Sequence, residues 1–416
     1  MKNLYFALVF GLFCTVFASI WLSQILIPSK NRRLFITFFL SIQFGSTLIF
    51  SMMIGFFLTL GVLTNLLIFS SLFLLFLGIE FYLRSLTNAQ RKAIKQKTRN
   101  ESARFENFDV IKSLPPHKSA TYLTPEFWKE MQFFTNRGSA EKIQTPNGFL
   151  VVNARNFDGK HISARNGMRT TTDAPDHPTG RVLLLGGSTV YCFEVPDSLT
   201  IASYLQRFLN SSGPKLQVLN LGVSGVTAIN RIEKLMSMGT LKKNDVVVIL
   251  FGDNDVGWQH YYLHEPFLLK VIRNLRKYSH LLGWIYFELS TQRKLKAGIT
   301  AAHDTAARLA QLSLHLNSIN IRHNFLIQPN IYTKKPLNKY ESEIISRFGV
   351  DFSQIVSSAY GFYDQLRKHP FISATNLMDN TVDSVYLDWG HTNAIGNELI
   401  AHFIAQLELF KNVQTY

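Results

Sequence analysis

The sequence predicts an α/β fold with a central parallel sheet over its second half, from Arg181 onward. Short apolar runs in this half end in turns of small residues, and a stretch with helical periodicity follows each run. The runs are almost wholly apolar, which is typical of parallel strands covered by helices on both faces. In such sheets the ligand site lies at the carboxyl ends of the strands.

Predicted strands and helices alternate along this half of the chain, which we treat as one domain of residues 181–416. The strands are predicted at residues 182–185, 216–221, 246–251 and 324–328. The helices are predicted at residues 199–209, 228–238, 301–316, within 341–368, and 394–409. An insertion at about residues 256–298 is rich in aromatic and basic residues.

The first part of the chain predicts a transmembrane region at residues 1–84. Residues 4–27 carry no charge and are long enough to cross a hydrocarbon layer of about 30 Å as one helix. Residues 34–83 contain Glu80 as their only charge and are about twice as long as one crossing, so two further spans fit. The apolar run continues past Ala18, where a signal peptide would be cut, which favours an uncleaved anchor in a cell membrane.

Basic residues flank the predicted spans, one group at residues 30–33 and another at residues 84–99. Two crossings between the groups place both on one side, and the positive-inside rule then favours a cytoplasmic soluble domain. One span more or fewer would reverse that side. Residues 85–180 are polar, with prolines that interrupt long helices, and predict a connector and lead-in segment.

The formal net charge of +15 does not indicate a nucleic-acid partner. Much of the basic excess adjoins the predicted spans, where it meets anionic lipid headgroups, and no nucleic-acid-binding module accompanies it. The lipid bilayer is therefore the expected partner. Cys14 and Cys192 are the two cysteines, and the first lies inside a predicted span, which excludes a disulfide framework.

Three of the strand ends carry residues suited to acyl chemistry, and a fourth such segment precedes the last helix. After the first strand, Gly186 and Gly187 let the chain turn sharply and leave the Ser188 hydroxyl at the top of the sheet. Taken alone, this segment is equally typical of a helix cap or a phosphate-binding loop. After the second strand, Gly222 offers a backbone N–H that can point at a negatively charged oxygen.

The third strand ends in Gly252-Asp253-Asn254-Asp255, where the Asn254 amide can donate to the same oxygen. The alternatives are a plain Asx turn, or a metal site that uses Asp253 and Asp255 with His260 or His264. Hard cations require more carboxylates than this stretch provides, so we expect neither a metal nor a cofactor.

The fourth segment, Asp388-Trp389-Gly390-His391, precedes the last predicted helix. Its spacing lets the Asp388 carboxylate approach the His391 imidazole and hold one tautomer, as a base acting on serine needs. The alternative is a helix cap by Thr392 or Asn393, with His391 incidental.

In their order along the chain, these segments resemble the four sequence blocks of the SGNH or GDSL-like hydrolase superfamily, over about residues 181–411. The resemblance implies a three-layer, flavodoxin-like fold. It also implies that Ser188 is the nucleophile, His391 its base and Asp388 the acid that orients His391, while the Ser188 N–H, Gly222 and Asn254 form an oxyanion hole. Gly187 stands where the family's name-giving motif has aspartate, as in a Gly-Gly-Ser-Thr branch, and the lead-in at residues 166–169 also resembles that branch.

The predicted function is a membrane-anchored ester hydrolase that acts on an acylated glycan, lipid or small molecule. One alternative is an O-acyltransferase that modifies a cell-envelope polysaccharide, and another is a non-catalytic glycan-binding or scaffolding protein. Five aromatic residues of the insertion either stack on sugar rings, line an acyl pocket or pack in the core. These are Trp258, Tyr261, Tyr262, Trp284 and Tyr286.

Overall fold

The computed structural model of the protein describes residues 108–411 except 119, 145–149, 213–214, 240, 257–264, 276–279, 349 and 367, together with residues 70, 71, 74, 75 and 78. The predicted spans within residues 1–84 therefore lie almost wholly outside the described residues. Among the helices that are described, none is both long enough and apolar enough to cross a bilayer. The fold below is that of the compact unit formed by Ala93–Lys277 and Leu282–Tyr416.

Ten strands are described, and eight of them form one mixed sheet. Its five parallel strands are β6 (Gly180–Gly186), β7 (Leu216–Gly222), β8 (Val246–Phe251), β9 (Arg322–Ile327) and β10 (Phe371–Ser373). They lie in the order β7-β6-β8-β9-β10. Numbered along the chain, this is the doubly wound order 2-1-3-4-5. The predicted α/β fold with a central, mostly parallel sheet is thus confirmed, and β10 is a strand that the sequence did not predict.

Helices connect these strands and cover both faces of the sheet. In chain order they are α1 (Phe108–Lys112), α2 (Pro125–Arg137), α3 (Ser188–Tyr191), α4 (Ile201–Ser212), α5 (Ala228–Ser237), α6 (Phe267–Leu275), α7 (His280–Ser318), α8 (Lys339–Phe348), α9 (Val350–Tyr363), α10 (Ala394–Ala405) and α11 (Glu408–Lys411). The predicted helix at 301–316 is the second half of α7, whose first half lies in the predicted insertion.

Alternating side chains of the central strands separate two hydrophobic cores, as the period of two in a strand requires. Leu184 of β6 packs with Val248 of β8 on the face covered by α4 and α10. Leu183 and Ile249 pack on the opposite face, which α5, α7 and α9 cover. Burial on both faces explains why these strands read as continuous apolar runs in the sequence.

Part of the predicted connector belongs to the sheet. Strands β3 (Phe157–Asp158), β4 (Ser163–Arg165) and β5 (Met168–Arg169) add to the β7 edge in antiparallel order. A separate hairpin is formed by β1 (Ala140–Gln144) and β2 (Leu150–Ala154). Strands of two or three residues show too little alternation to be recognised in the sequence.

Candidate active site

Ser188 lies where the strand order of the parallel sheet reverses. It is the first residue of α3, directly after β6, and β6 pairs with β7 on one side and with β8 on the other. Such reversal points are where open α/β sheets bind their ligands. Because Ser188 begins a helix, its backbone N–H belongs to the first turn, whose N–H groups have no partner within the helix.

His391 and Asp388 lie in the loop before α10. The Leu387 N–H donates to the His391 carbonyl over 2.9 Å, which closes the loop. Asn393 caps α10 by accepting from the Gly396 N–H over 3.1 Å. The helix cap considered from the sequence is therefore present, and it places His391 just before the helix, facing Ser188.

The structure brings Ser188, His391 and Asp388 into one hydrogen-bonded chain. Ser188 Oγ lies 2.6 Å from His391 Nε2, and Asp388 Oδ2 lies 2.6 Å from His391 Nδ1. The other Asp388 oxygen accepts from the backbone N–H groups of Gly390 (2.9 Å) and His391 (2.8 Å). An ionised carboxylate only accepts, so the neutral imidazole carries its proton on Nδ1 and leaves Nε2 to accept from the serine hydroxyl.

The charges around His391 favour the protonated ring. Burial alone would lower the pKa of His391, but the nearby carboxylates of Glu194 and Asp388 and the Asp388 hydrogen bond raise this pKa to about 10. The same pair acts on Asp388: burial opposes its ionisation, yet the charge and hydrogen bond of His391 hold its pKa below the usual range. The geometry therefore stabilises an imidazolium beside Ser188.

Asn254 reaches the same place from the end of β8. It lies in a 3-10 turn, Asp253–Asp255, and its side-chain amide donates to the Val226 carbonyl over 2.9 Å. A Cβ atom on Gly187 would meet that amide nitrogen at 2.5 Å. The absence of a side chain at residue 187 is what lets the Asn254 amide approach the residue next to Ser188.

The structure corrects the expectation for Gly222. Its N–H donates to the buried Asn220 side chain over 3.0 Å, so it is not available to a substrate oxygen. A side chain at residue 222 would collide with the backbone of α3, so the glycine serves close packing between β7 and α3. Gly225 of the same segment is exposed, has φ of +74° and has open space where a Cβ would be.

The sequence did not identify two further acidic groups near His391. Glu194 Oε1 lies 3.5 Å from His391 Nδ1. The Asp253 carboxylate accepts hydrogen bonds from Asn330 (2.6 Å) and Tyr360 (2.7 Å). Burial raises the pKa of Asp253 to about 7, against these two hydrogen bonds. No local sequence pattern indicates that Glu194 or Asp253 lies near His391, since each contact joins segments far apart in the sequence.

The metal alternative receives no support from Asp253 and Asp255. Asp255 accepts from the N–H groups of Gly252 (3.0 Å) and Ala228 (2.8 Å), and so holds the first turn of α5. No group of three or more metal-binding side chains occurs in the part of the chain that the structure describes. His260 and His264 lie outside the described residues.

Of the five aromatic residues considered for substrate stacking, Tyr286 can be placed. It is buried, and its hydroxyl donates to Glu265 over 2.8 Å, which is a core role. Trp258, Tyr261 and Tyr262 lie outside the described residues.

No family model and no curated protein matches this chain. Several solved structures are similar to it at low identity. The acetylxylan esterase Axe2 from Geobacillus stearothermophilus is 16% identical with a TM-score of 0.34, over 57% of this chain and 98% of the esterase. A putative lipolytic protein of the G-D-S-L family from Desulfitobacterium hafniense is 11% identical with a TM-score of 0.30, over 55% of this chain and 98% of that protein.

The acetyl xylan esterase AlAXEase is also similar, at 16% identity and a TM-score of 0.29, over 55% of this chain and the whole of that protein. Identities and TM-scores as low as these do not establish a shared activity. The function of this chain has to be argued from the geometry of its own residues.

Proposed function

We propose that this protein is a serine ester hydrolase of the SGNH type, with Ser188 as nucleophile, His391 as its base and Asp388 as the acid that orients His391. The observation that carries the proposal is the hydrogen-bonded chain from the Ser188 hydroxyl through both nitrogens of His391 to Asp388. These side chains come from the end of β6 and from the loop before α10, 203 residues apart in the sequence. A serine hydroxyl becomes an effective nucleophile when a positioned imidazole can take its proton.

In the first half of the reaction, Ser188 Oγ attacks the carbonyl carbon of the ester. Its proton passes to His391 Nε2 as the Oγ–C bond forms, and Asp388 stabilises the imidazolium. The tetrahedral intermediate then breaks its bond to the alcohol oxygen, which leaves with the proton from His391. In the second half, His391 takes a proton from water as the water oxygen attacks the acyl carbon. The new tetrahedral intermediate then breaks its bond to Ser188 Oγ, which takes the proton back from His391, and the acid is released.

The negative oxygen of the intermediate needs donors that are in place before it forms. The Ser188 N–H and the Asn254 side-chain amide supply them in this proposal, because the first lies at a helix start and the second lies against Gly187. Gly222 is not part of the pocket, since Asn220 occupies its N–H. The turn at Gly225 borders the pocket, because Asn254 donates to the next residue, Val226.

The proposal includes a membrane anchor at residues 1–84 and an acylated glycan, lipid or small molecule as substrate. The anchor rests on the two uncharged or nearly uncharged stretches at 4–27 and 34–83. The positive-inside rule favours the cytoplasmic side for the hydrolase domain. Protease protection of the domain in sealed vesicles of known orientation would test this side: complete digestion from the face opposite the cytoplasmic one would overturn it.

A fluorophosphonate probe tests the chemistry without knowledge of the substrate, because it forms a covalent bond with activated serines. We expect one labelled peptide, containing Ser188, and no labelling of the Ser188→Ala or His391→Ala variants. Ser313→Ala, which removes another hydroxyl bonded to a histidine, is the matched control and should label normally. A folded wild-type protein that does not react at Ser188 would overturn the proposal and favour a non-catalytic binding protein.

Hydrolysis and acyl transfer differ in the molecule that accepts the acyl group. An acylated glycan or a simple acetyl ester should yield free acid in stoichiometric amounts when the protein is a hydrolase. Transfer of most of the acyl groups to an added glycan acceptor, with little free acid, would show a transferase instead.

A further inference from the structure

Two carboxylates face the same nitrogen of His391. Asp388 Oδ2 lies 2.6 Å from Nδ1 and Glu194 Oε1 lies 3.5 Å from it. Glu194 comes from a different part of the chain, three residues after α3. Its side chain is 14% exposed, against 21% for His391, so bulk water screens the interaction between the two charges only weakly.

The segment that carries Glu194 is fixed on both sides of the residue. The buried guanidinium of Arg169 donates to the carbonyls of Cys192 (2.6 Å) and Val195 (2.7 Å), which flank Glu194 in the chain. Cys192 adopts a left-handed conformation, with φ of 56°, which a residue other than glycine keeps only when its surroundings hold it. Arg169 of the lead-in strand β5 thereby holds the backbone on both sides of Glu194.

The charged and titratable groups around this contact come from several elements. His391 faces Glu194, Asp388 and Asp253, all acidic. Glu194 in turn interacts electrostatically with His391, Asp388 and the cation of Arg169. Its charge also raises the pKa values of Tyr122 and Cys192. Burial and the nearby charge of Asp388 raise the pKa of Glu194 above its usual range, and the charges of His391 and Arg169 oppose the rise. Among these neighbours, Glu194 and Asp388 are the two that reach His391 Nδ1.

We propose that Glu194 is a second acidic positioning residue for His391, which adds a negative charge beside the Nδ1–H that Asp388 accepts and helps hold the imidazole toward Ser188. This rests on the proposed ester hydrolase activity. Two negative charges at one nitrogen stabilise the imidazolium that forms when Ser188 gives up its proton. They also keep His391 protonated to higher pH, so that Glu194 sets the pH at which the base becomes available.

Two consequences follow for variants. Glu194→Gln keeps the size of the side chain but removes its charge, so the pKa of His391 and the acid limb of the rate profile should both move to lower pH by about one unit or more. In Asp388→Asn, Glu194 remains as an acceptor for Nδ1 and should preserve part of the activity. In the Asp388→Asn background, Glu194→Gln should lower kcat/KM by a factor about tenfold larger than it does in the wild type. The reason is that substitutions within one hydrogen-bonded network are not additive.

The test combines kinetics with a measurement that needs no turnover. The full-length protein, labelled with ¹⁵N-histidine in detergent micelles, is titrated by NMR, and His391→Ala identifies the His391 signal among the 12 histidines. The same samples give kcat/KM against pH for a simple acetyl ester. The variants are Glu194→Gln, Asp388→Asn and both together, with Glu343→Gln on the exposed face of α8 as a control for loss of one negative charge.

The expected result is a lower His391 pKa in Glu194→Gln, a matching shift of the acid limb, and no change in Glu343→Gln. Glu194→Asp, which restores the charge on a shorter side chain, should recover part of the shift. An unchanged His391 pKa in folded Glu194→Gln, with purely additive losses in the double variant, would overturn the role of Glu194. A shifted His391 pKa in a protein without esterase turnover would support the Glu194 contact and reject the ester hydrolase.

Discussion

The protein contains two serine–histidine pairs with nearly the same hydrogen bond and different surroundings. Ser188 Oγ lies 2.6 Å from His391 Nε2, and Ser313 Oγ lies 2.7 Å from His323 Nε2. The second pair joins α7 to β9 inside the core, where Ser313 is 5% and His323 is 3% exposed. His323 Nδ1 lies 2.9 Å from a neutral acceptor, the carbonyl of Ile321.

Both pairs have the serine contact at Nε2. They differ in the acceptor at Nδ1 and in the exposure of the serine to solvent. Carboxylates at Nδ1 raise the pKa of His391 to about 10, whereas burial lowers the pKa of His323 despite its backbone hydrogen bond. A histidine that can accept a proton beside an accessible hydroxyl is suited to catalysis, and one that stays neutral inside the core is suited to packing. A short serine–histidine distance alone is therefore a weak signature of an active site.

The largest expected effect separates the two histidines. His391→Ala should lower kcat/KM for an activated ester by about 10⁴-fold or more, because the hydroxyl loses its base. His323→Gln should stay within about threefold of wild type in a folded protein, because His323 is buried and its hydrogen bonds join it to Ser313 and to the Ile321 carbonyl in the core. Esterase assays on both variants at one pH check this, and equal losses in the two would remove the distinction between the pairs.

The next effect concerns the side-chain amide of Asn254 near the first pair. Asn254→Ala removes the side-chain amide beside Gly187 and should lower kcat by about 10²–10³-fold with little change in KM, because the oxyanion is stabilised mainly in the transition state. Asn324→Ala, near the second pair, is the control and should keep wild-type kcat. Steady-state kinetics with unchanged kcat in Asn254→Ala would remove Asn254 from the site.

The pH dependence should report the protonation of His391. Only the neutral imidazole can take the Ser188 proton, so kcat/KM should rise by about tenfold per pH unit as the pH increases toward the His391 pKa of about 10, and then level off. Ser188→Ala provides the background of spontaneous ester hydrolysis at each pH. A profile that is already level at pH 6 would show that the carboxylates do not hold His391 protonated.

The smallest effect belongs to the buried pair and concerns stability. Ser313→Ala leaves His323 Nε2 without its hydrogen-bond partner in the core, and should lower the free energy of unfolding by about 1–3 kcal/mol. Fluorophosphonate labelling of Ser188 should be unaffected. Urea titration of the wild type and of Ser313→Ala measures the free energy of unfolding. An unchanged midpoint would show that the hydrogen bond between Ser313 and His323 does not stabilise the fold.

Lower pH should also destabilise the wild-type protein at His323. Because burial lowers the pKa of His323 in the folded state, the unfolded chain binds a proton there first as the pH falls. The contribution of His323 to stability is therefore present above the ordinary histidine pKa of about 6.5 and is lost as the pH falls toward the lower folded value.

The sequence predicted the main strands to within about two residues, because burial on both faces leaves uninterrupted apolar runs that are visible locally. It did not predict β10, which has three residues, or the antiparallel strands β3, β4 and β5. The spacing of Asp388 and His391 also signals a local contact, since both lie in one short loop. Their contact with Ser188 joins residues far apart in the sequence, and only the sheet brings the two segments together.

What the sequence determined by itself is the part that depends on near neighbours: periodicity, turns at glycines, and the order of the reactive side chains. Tertiary structure decided which polar groups are already occupied and which charges meet. Arg169 fixes the backbone segment that carries Glu194, a long-range contact that no local pattern indicates. The physical reason is that hydrogen bonds and charge interactions depend on distances in space, and those distances exist only after the chain has folded.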